Sequence, residues 1–145
     1  MTYLDTSALI KRFVSEEGSG IVERLIVGGQ PIASATIAYA ELYSGVTRRH
    51  REGDLSNVQY RLVCRHIERD WMAIVKIELG PEVLAATRTL VERHALRGFD
   101  AIHLASALEL QGAMNGPVTF VASDRRLLQA ASEERLTIVD PGTDT

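Results

Sequence analysis

VTFVASDRRLLQAA, residues 118–131, is the stretch whose reading decides the fold. VTFVAS has the β-branched and aromatic composition of a buried strand. DRRLLQAA then places Leu127, Leu128, Ala130 and Ala131 at helical spacing, with Asp124 at the seam. The N-terminus repeats this layout. TYL (2–4) reads as a strand, Asp5 follows it, and SALIKRFV (7–14) reads as the helix beyond. Such a unit, strand then acid then helix, is the building block of a parallel sheet.

The intervening chain keeps the alternation. GSGIVERLIVGG (18–29) reads as a helix ended by glycine, and QPIAS (30–34) as a short strand. TIAYAELYSGVTRRH (36–50) and LSNVQYRLVCRHIERDW (55–71) read as two helices separated by REGD. AIVKIEL (73–79) is a strand, Gly80-Pro81 opens a helix ending near Leu96, FDAIHLASALELQG (99–112) is helical, and LTIVD (136–140) closes as a strand. Strands alternating with helices of ten residues or more imply parallel crossovers and helices on both faces, an α/β class three-layer sandwich. In such sheets ligands bind beyond the carboxyl ends of the strands, where strand order reverses. Chemistry is therefore sought just after strands.

The bulk properties fit one domain spanning residues 1–145: 46% hydrophobic and 24% charged residues, with no repeat or linker. No apolar run is long enough to cross a bilayer, and the N-terminus lacks a signal-peptide layout. Cys64 is the lone cysteine, so no internal disulfide forms. A cytoplasmic protein without membrane contact is the expectation. The net charge of −3 excludes a globally basic nucleic-acid binder and leaves local basic patches open.

The acids carry the chemistry. Asp5 and Asp124 each follow a strand, and their carboxylates converge if those strands are neighbours; each is equally suited to cap the next helix. Glu41 has Ile37, Ala38, Ser44 and Gly45 three and four positions away, so it lies along the packed stripe of its helix. There it requires a metal or a paired partner, with an arginine the ordinary choice. Asp100 opens a strongly apolar helix, where capping and the helix dipole also favour an acid. His103, one turn on, reads as a structural or supporting residue rather than a ligand. Four ionised carboxylates in one pocket require cations to neutralise them. With no Cys/His spacing for zinc, oxygen-only ligation suits Mg²⁺ or Mn²⁺ and points to a metal-dependent phosphodiester hydrolase.

Asp5 in YLDTSALIKRF, Glu41 in AYAELYSGV, Asp100 in GFDAIHLASAL and Asp124 in FVASDRRLLQAA together resemble the four-acid pattern of PIN-domain ribonucleases, most closely the VapC toxins of type II toxin–antitoxin systems. The resemblance runs from Tyr3 to about Val139 and rests on the order and spacing of short motifs. It implies an α/β/α sandwich, endoribonuclease activity on an RNA substrate with Mg²⁺ or Mn²⁺, a homodimer, and a cognate antitoxin whose C-terminal segment wraps the toxin. It implies that Asp5, Glu41, Asp100 and Asp124 hold metal, and that Ser7 supports Asp5 or contacts the scissile phosphate. The family often carries Thr or Ser two positions before its last acid. Here Ala122 stands there, with Ser123 next to Asp124.

An acidic pocket repels RNA, so basic residues must attract the backbone. Arg48 and Arg49 in TRRHRE, the Arg61, Arg65 and Arg69 stripe, and Arg125 with Arg126 are the candidates. The same stripe also reads as a solvated face offset by Glu52, Glu68 and Asp70. Tyr39, Tyr43 and Trp71 suit packing or base stacking. Three rivals stand beside the toxin reading: a PIN-type nuclease working in RNA processing or on structured DNA without an antitoxin, a phosphoacceptor receiver module, and a catalytically dead PIN domain that only binds a partner, which the four intact acids disfavour. A receiver carries an acidic pair beside its first strand and a lysine after its last. Here Thr6 follows Asp5, and no lysine follows Lys76.

Overall fold

The computed structural model describes residues 1–143. Its elements follow in the order β1 (Thr2–Leu4), α1 (Thr6–Leu9), α2 (Ser19–Val27), β2 (Ile32–Ala35), α3 (Ala38–Arg51), α4 (Asn57–Trp71), β3 (Val75–Ile77), α5 (Pro81–Arg93), α6 (Gly98–Met114), β4 (Thr119–Val121), α7 (Arg125–Glu133) and β5 (Thr137–Val139). Every strand pairs in parallel, and the five-stranded sheet runs in the order β3-β2-β1-β4-β5. A receiver sheet instead runs 2-1-3-4-5, so this topology excludes that rival.

The strand period of two divides the core. Tyr3, Phe120 and Ala122 face one cluster with Leu104, Leu110 and Leu127 from α6 and α7 and Val83 and Leu90 from α5. Leu4 and Val121 face the other, with Leu9, Leu42, Val46 and Ile67 from α1, α3 and α4. Two apolar clusters on opposite sheet faces make the three-layer α/β/α architecture that the alternation predicts.

The chain winds outward one way from β1 through β2 to β3, then restarts at β4 beside β1. The switch point is therefore the β1–β4 boundary, where Leu4 lies opposite Val121. Asp5 and Asp124 both follow strands that meet there.

The helix expected over residues 7–14 is shorter than its pattern. It is α-helical to Leu9, tightens into a 3-10 turn over Ile10–Arg12, and stops at Phe13. Ile10 and Phe13, both 9% exposed, are three residues apart, and the 3-10 repeat puts that spacing on one side, toward the core. The helix expected to end near Leu96 stops at Arg93. Ser56 caps α4 in a capping box with Gln59. On α3, Gly45 passes the 3-10 turn: a Cβ there would lie 3.1 Å from Ile10 Cδ1, so a larger residue would require the Ile10 side chain to shift.

Candidate metal centre

Asp5 is 4% exposed and caps α1; its Oδ1 accepts from Ala8 N at 2.9 Å and from Ser7 Oγ at 2.7 Å. Ser7 Oγ in turn accepts from Ser123 N at 3.0 Å, so this hydroxyl ties the end of β1 to the segment after β4. Burial pushes the Asp5 carboxyl up to about 6; His103 and the two hydrogen bonds oppose the rise, and the Asp100 charge adds to it. Asp5 and Asp100 thus share one electrostatic neighbourhood.

Glu41, half-buried in the first turn of α3, finds a partner other than the arginine its burial suggested. Its Oε1 accepts from Thr6 Oγ1 at 2.7 Å and meets His103 Nε2 at 2.8 Å. Burial opposes its ionisation, but these bonds outweigh that cost and hold the carboxyl below its usual range. His103 is 2% exposed, and its Nδ1 lies 2.8 Å from the Tyr3 hydroxyl. Burial, followed by the Asp5 charge, holds that phenol well above its usual range.

Asp100 lies in the first turn of α6, where Arg97 Nε reaches its Oδ2 at 3.3 Å. It borders two clefts, one shared with Glu41 and Phe99, the other with Asp124 and Arg125. Asp124 caps α7 by accepting from Leu127 N at 2.9 Å. A wider cleft of about 730 Å³ joins Thr6, Ser7, Glu41 and Ser123 to Arg48 and Arg49. Asp100 thus lies between Glu41 and Asp124, while Asp5, buried after β1, lines none of these three clefts.

Among the described residues, no three His, Cys, Asp or Glu side chains stand as a metal-holding group. Glu41 is turned to His103 and Asp100 to Arg97. The donor set nonetheless suits a hydrated ion, since Mg²⁺ keeps several waters and takes only one or two carboxylates directly. Two features mark the place: the buried Asp5 carboxyl, pushed up by its burial with the Asp100 charge adding to the rise, and Ser123 Oγ, a buried hydroxyl without a protein partner among the described residues. A water or phosphate oxygen would satisfy it.

Of the basic candidates, Arg48 and Arg49 wall the wide cleft and Arg125 the cleft of Asp100 and Asp124. Arg49 is ion-paired with Glu16. Arg61, Arg65 and Arg69 lie exposed along α4, lining none of these three clefts, and Arg69 pairs with Asp70. Tyr39, Tyr43 and Trp71 pack against one another, and both phenols donate to Glu68, which accounts for them as α3–α4 packing.

Sequence reasoning passed over Phe99, which is 61% exposed and forms a wall of both clefts that hold Glu41. It also passed over Tyr3, and it took Thr6 only as a small residue that leaves room beside Asp5, not as a donor to Glu41. The signal for Tyr3 was present: it lies two residues before Asp5 on a strand, hence on the same face. Thr6 carried no periodic signal.

Comparison with known proteins agrees with this fold. The PIN-domain family model matches residues 2–133. Ribonuclease VapC45 of Mycobacterium tuberculosis is 36% identical over 128 residues, 88% of this chain and 86% of its own length. Among solved structures, FitAcB from Neisseria gonorrhoeae superposes with a TM-score of 0.70 at 15% identity, over 99% of this chain and 100% of that one. A toxin–antitoxin complex from Klebsiella pneumoniae gives 0.67 at 16% identity, over 97% and 98%.

Proposed function

The chain belongs to the PIN-domain family, and from that membership we infer that it is an endoribonuclease serving as the toxin of a toxin–antitoxin pair. The observation that carries the reading is geometric: Asp5 is buried at the sheet's switch point, with its Oδ1 held by Ser7, whose hydroxyl also accepts from Ser123 N beside the unpartnered Ser123 hydroxyl. A buried carboxylate beside an unsatisfied polar group is a poor arrangement for stability and a good one for holding a cation and a phosphate.

Asp5, Glu41, Asp100 and Asp124 would hold Mg²⁺ or Mn²⁺. When bound, such an ion supplies Lewis acidity, activating water for attack on phosphorus and offsetting charge on the departing oxygen. The protein's own groups prepare the place. Ser7 and Ala8 N–H fix Oδ1 of Asp5, which aims the carboxylate. The Ser7 proton is committed to that bond, so its role is support of Asp5 rather than donation to the scissile phosphate. Ser123 Oγ offers the free hydroxyl in its stead. Arg48, Arg49 and Arg125 lie where they can hold neighbouring phosphates, and Phe99 exposes a ring on which a base can stack. His103 is already bonded at both nitrogens, to Tyr3 and Glu41, so no side chain is assigned as general base.

A homodimer, and an antitoxin whose C-terminal segment reaches the cleft, belong to the same reading. The test is RNA cleavage by Asp5→Asn and Asp100→Asn, purified free of other nucleases, with Mg²⁺ or Mn²⁺ and with EDTA as control. Both variants are expected to keep the wild-type circular dichroism and lose metal-dependent cleavage. Cleavage at the wild-type rate by either would sink the shared-metal-site reading.

A further inference from the structure

We propose that Tyr3 and His103 are positioning residues for Glu41: the Tyr3 hydroxyl donates to His103 Nδ1, the ring carries its proton at Nε2, and that proton holds Glu41 Oε1. The three groups are joined in line, Tyr3 OH to Nδ1 at 2.8 Å and Nε2 to Oε1 at 2.8 Å. An ionised carboxylate only accepts, so the nitrogen facing it is the one that carries the hydrogen. The nitrogen left as acceptor then faces a hydroxyl, which can donate. Hydrogen-bond complementarity thus selects one tautomer, and the tautomer follows from the network rather than from a visible hydrogen.

The parts are held so that this order persists. Tyr3 is fully buried; its ring stacks on Phe120 at 5.5 Å and 8°, and meets His103 edge-on at 5.9 Å and 74°. His103 is 2% exposed on α6. Thr6 Oγ1 supplies a second donor to Glu41 Oε1 at 2.7 Å and also lies 3.1 Å from His103 Nε2. Two donors on the same oxygen pin one edge of the carboxylate and assign Oε2 to the cleft. The relay links β1, α1, α3 and α6, so the strand that carries Asp5 also orients Glu41. Metal sites commonly use such partners to set ligand orientation, and losing one costs about 10–100-fold in metal affinity or activity.

The kinetic consequence rests on the nuclease reading; the geometry does not. Tyr3→Phe removes one hydroxyl and keeps the stacked ring, so the fold is preserved. Three measurements on the whole chain decide the matter: long-range ¹H–¹⁵N correlation of the His103 imidazole without metal, Mn²⁺ titration by electron paramagnetic resonance, and RNA cleavage kinetics with Mn²⁺. Wild type is expected to show a protonated Nε2 and a hydrogen-bonded, unprotonated Nδ1. In Tyr3→Phe the Nδ1 resonance moves to the position of a free acceptor, Mn²⁺ affinity falls about tenfold, and kcat falls about tenfold with KM within about twofold, the low end of losses for such partners. His103→Gln, which can still present an amide N–H to Glu41, is expected to retain more Mn²⁺ affinity than His103→Leu. A wild-type ring protonated at Nδ1, or at both nitrogens, overturns the proposal. So does a folded Tyr3→Phe with wild-type Mn²⁺ affinity and kcat. If the wild type cuts no RNA, the nuclease reading fails, and the spectrum and the Mn²⁺ titration still decide the relay.

Discussion

Asp5 serves two ends that conflict energetically. As a cap it satisfies Ala8 N–H, which favours the fold; as a buried charge beside Asp100 it opposes the fold. Its folded carboxyl, raised from 3.8 to about 6, binds a proton more tightly than the unfolded one. The stabilisation this provides is fully present below about pH 3.8 and is lost as pH rises through about 6. Two pH units correspond to about 3 kcal/mol as an upper bound. Asn is neutral at every pH and still caps a helix. Asp5→Asn is therefore expected to stabilise the metal-free protein by about 1–3 kcal/mol at pH 7.5, with the gain shrinking toward zero near pH 4. Urea unfolding in EDTA at the two pH values measures it; a variant less stable than wild type at pH 7.5 contradicts the buried-charge account. Asp5 was legible as a candidate from its place after a strand, and crowding among the acids followed from their number; the depth of its burial, the chief source of the conflict, was not, because packing of distant residues sets it.

At the scale of elements, α3 shows how a helix delivers a side chain. Its apolar stripe of Ala38, Leu42 and Val46 fixes which face packs, and the same periodicity placed Glu41 beside that stripe. Where the helix passes the 3-10 turn it carries Gly45, and a Cβ there would stand 3.1 Å from Ile10 Cδ1. Gly45→Val is expected to destabilise by about 1–3 kcal/mol through overpacking, despite removing a helix glycine. It should also lower Mn²⁺ affinity by displacing Glu41 from Thr6 and His103. Chemical denaturation and Mn²⁺ titration check the two effects; unchanged values for both would show that the contact can relax. The first helix shows the limit of pattern. SALIKRFV looks helical throughout, yet the core's demand on Ile10 and Phe13 tightens it into a 3-10 turn, an outcome that local propensity does not record.

For the whole molecule, the nuclease reading has the acids at the sheet's carboxyl edge set where RNA would lie, and thus which arginines count. Counterion release scales with phosphates contacted, so removing a contacting arginine lowers the salt slope of binding by about 0.7–0.9. Arg48→Gln with Arg125→Gln is expected to lower the slope by about 1–2. Arg61→Gln, Arg65→Gln and Arg69→Gln together should change it less, since that stripe lies outside the acid clefts. Salt-dependent binding of RNA by the Asp5→Asn protein separates the two sets, and a larger loss from the stripe would move the RNA path onto α4. The sequence by itself determined the layers, through the alternation of strand and helix periods, and placed four acids at strand and helix ends. Both follow from local rules that act within a few residues: side-chain periodicity and capping. It took the folded chain to show that β1 lies beside β4, that Glu41 answers to His103 rather than to an arginine, and that Tyr3 and Phe99 stand beside the candidate residues. These contacts join residues up to a hundred or more positions apart, and they arise from how the helices pack on the two sheet faces, which no local pattern encodes.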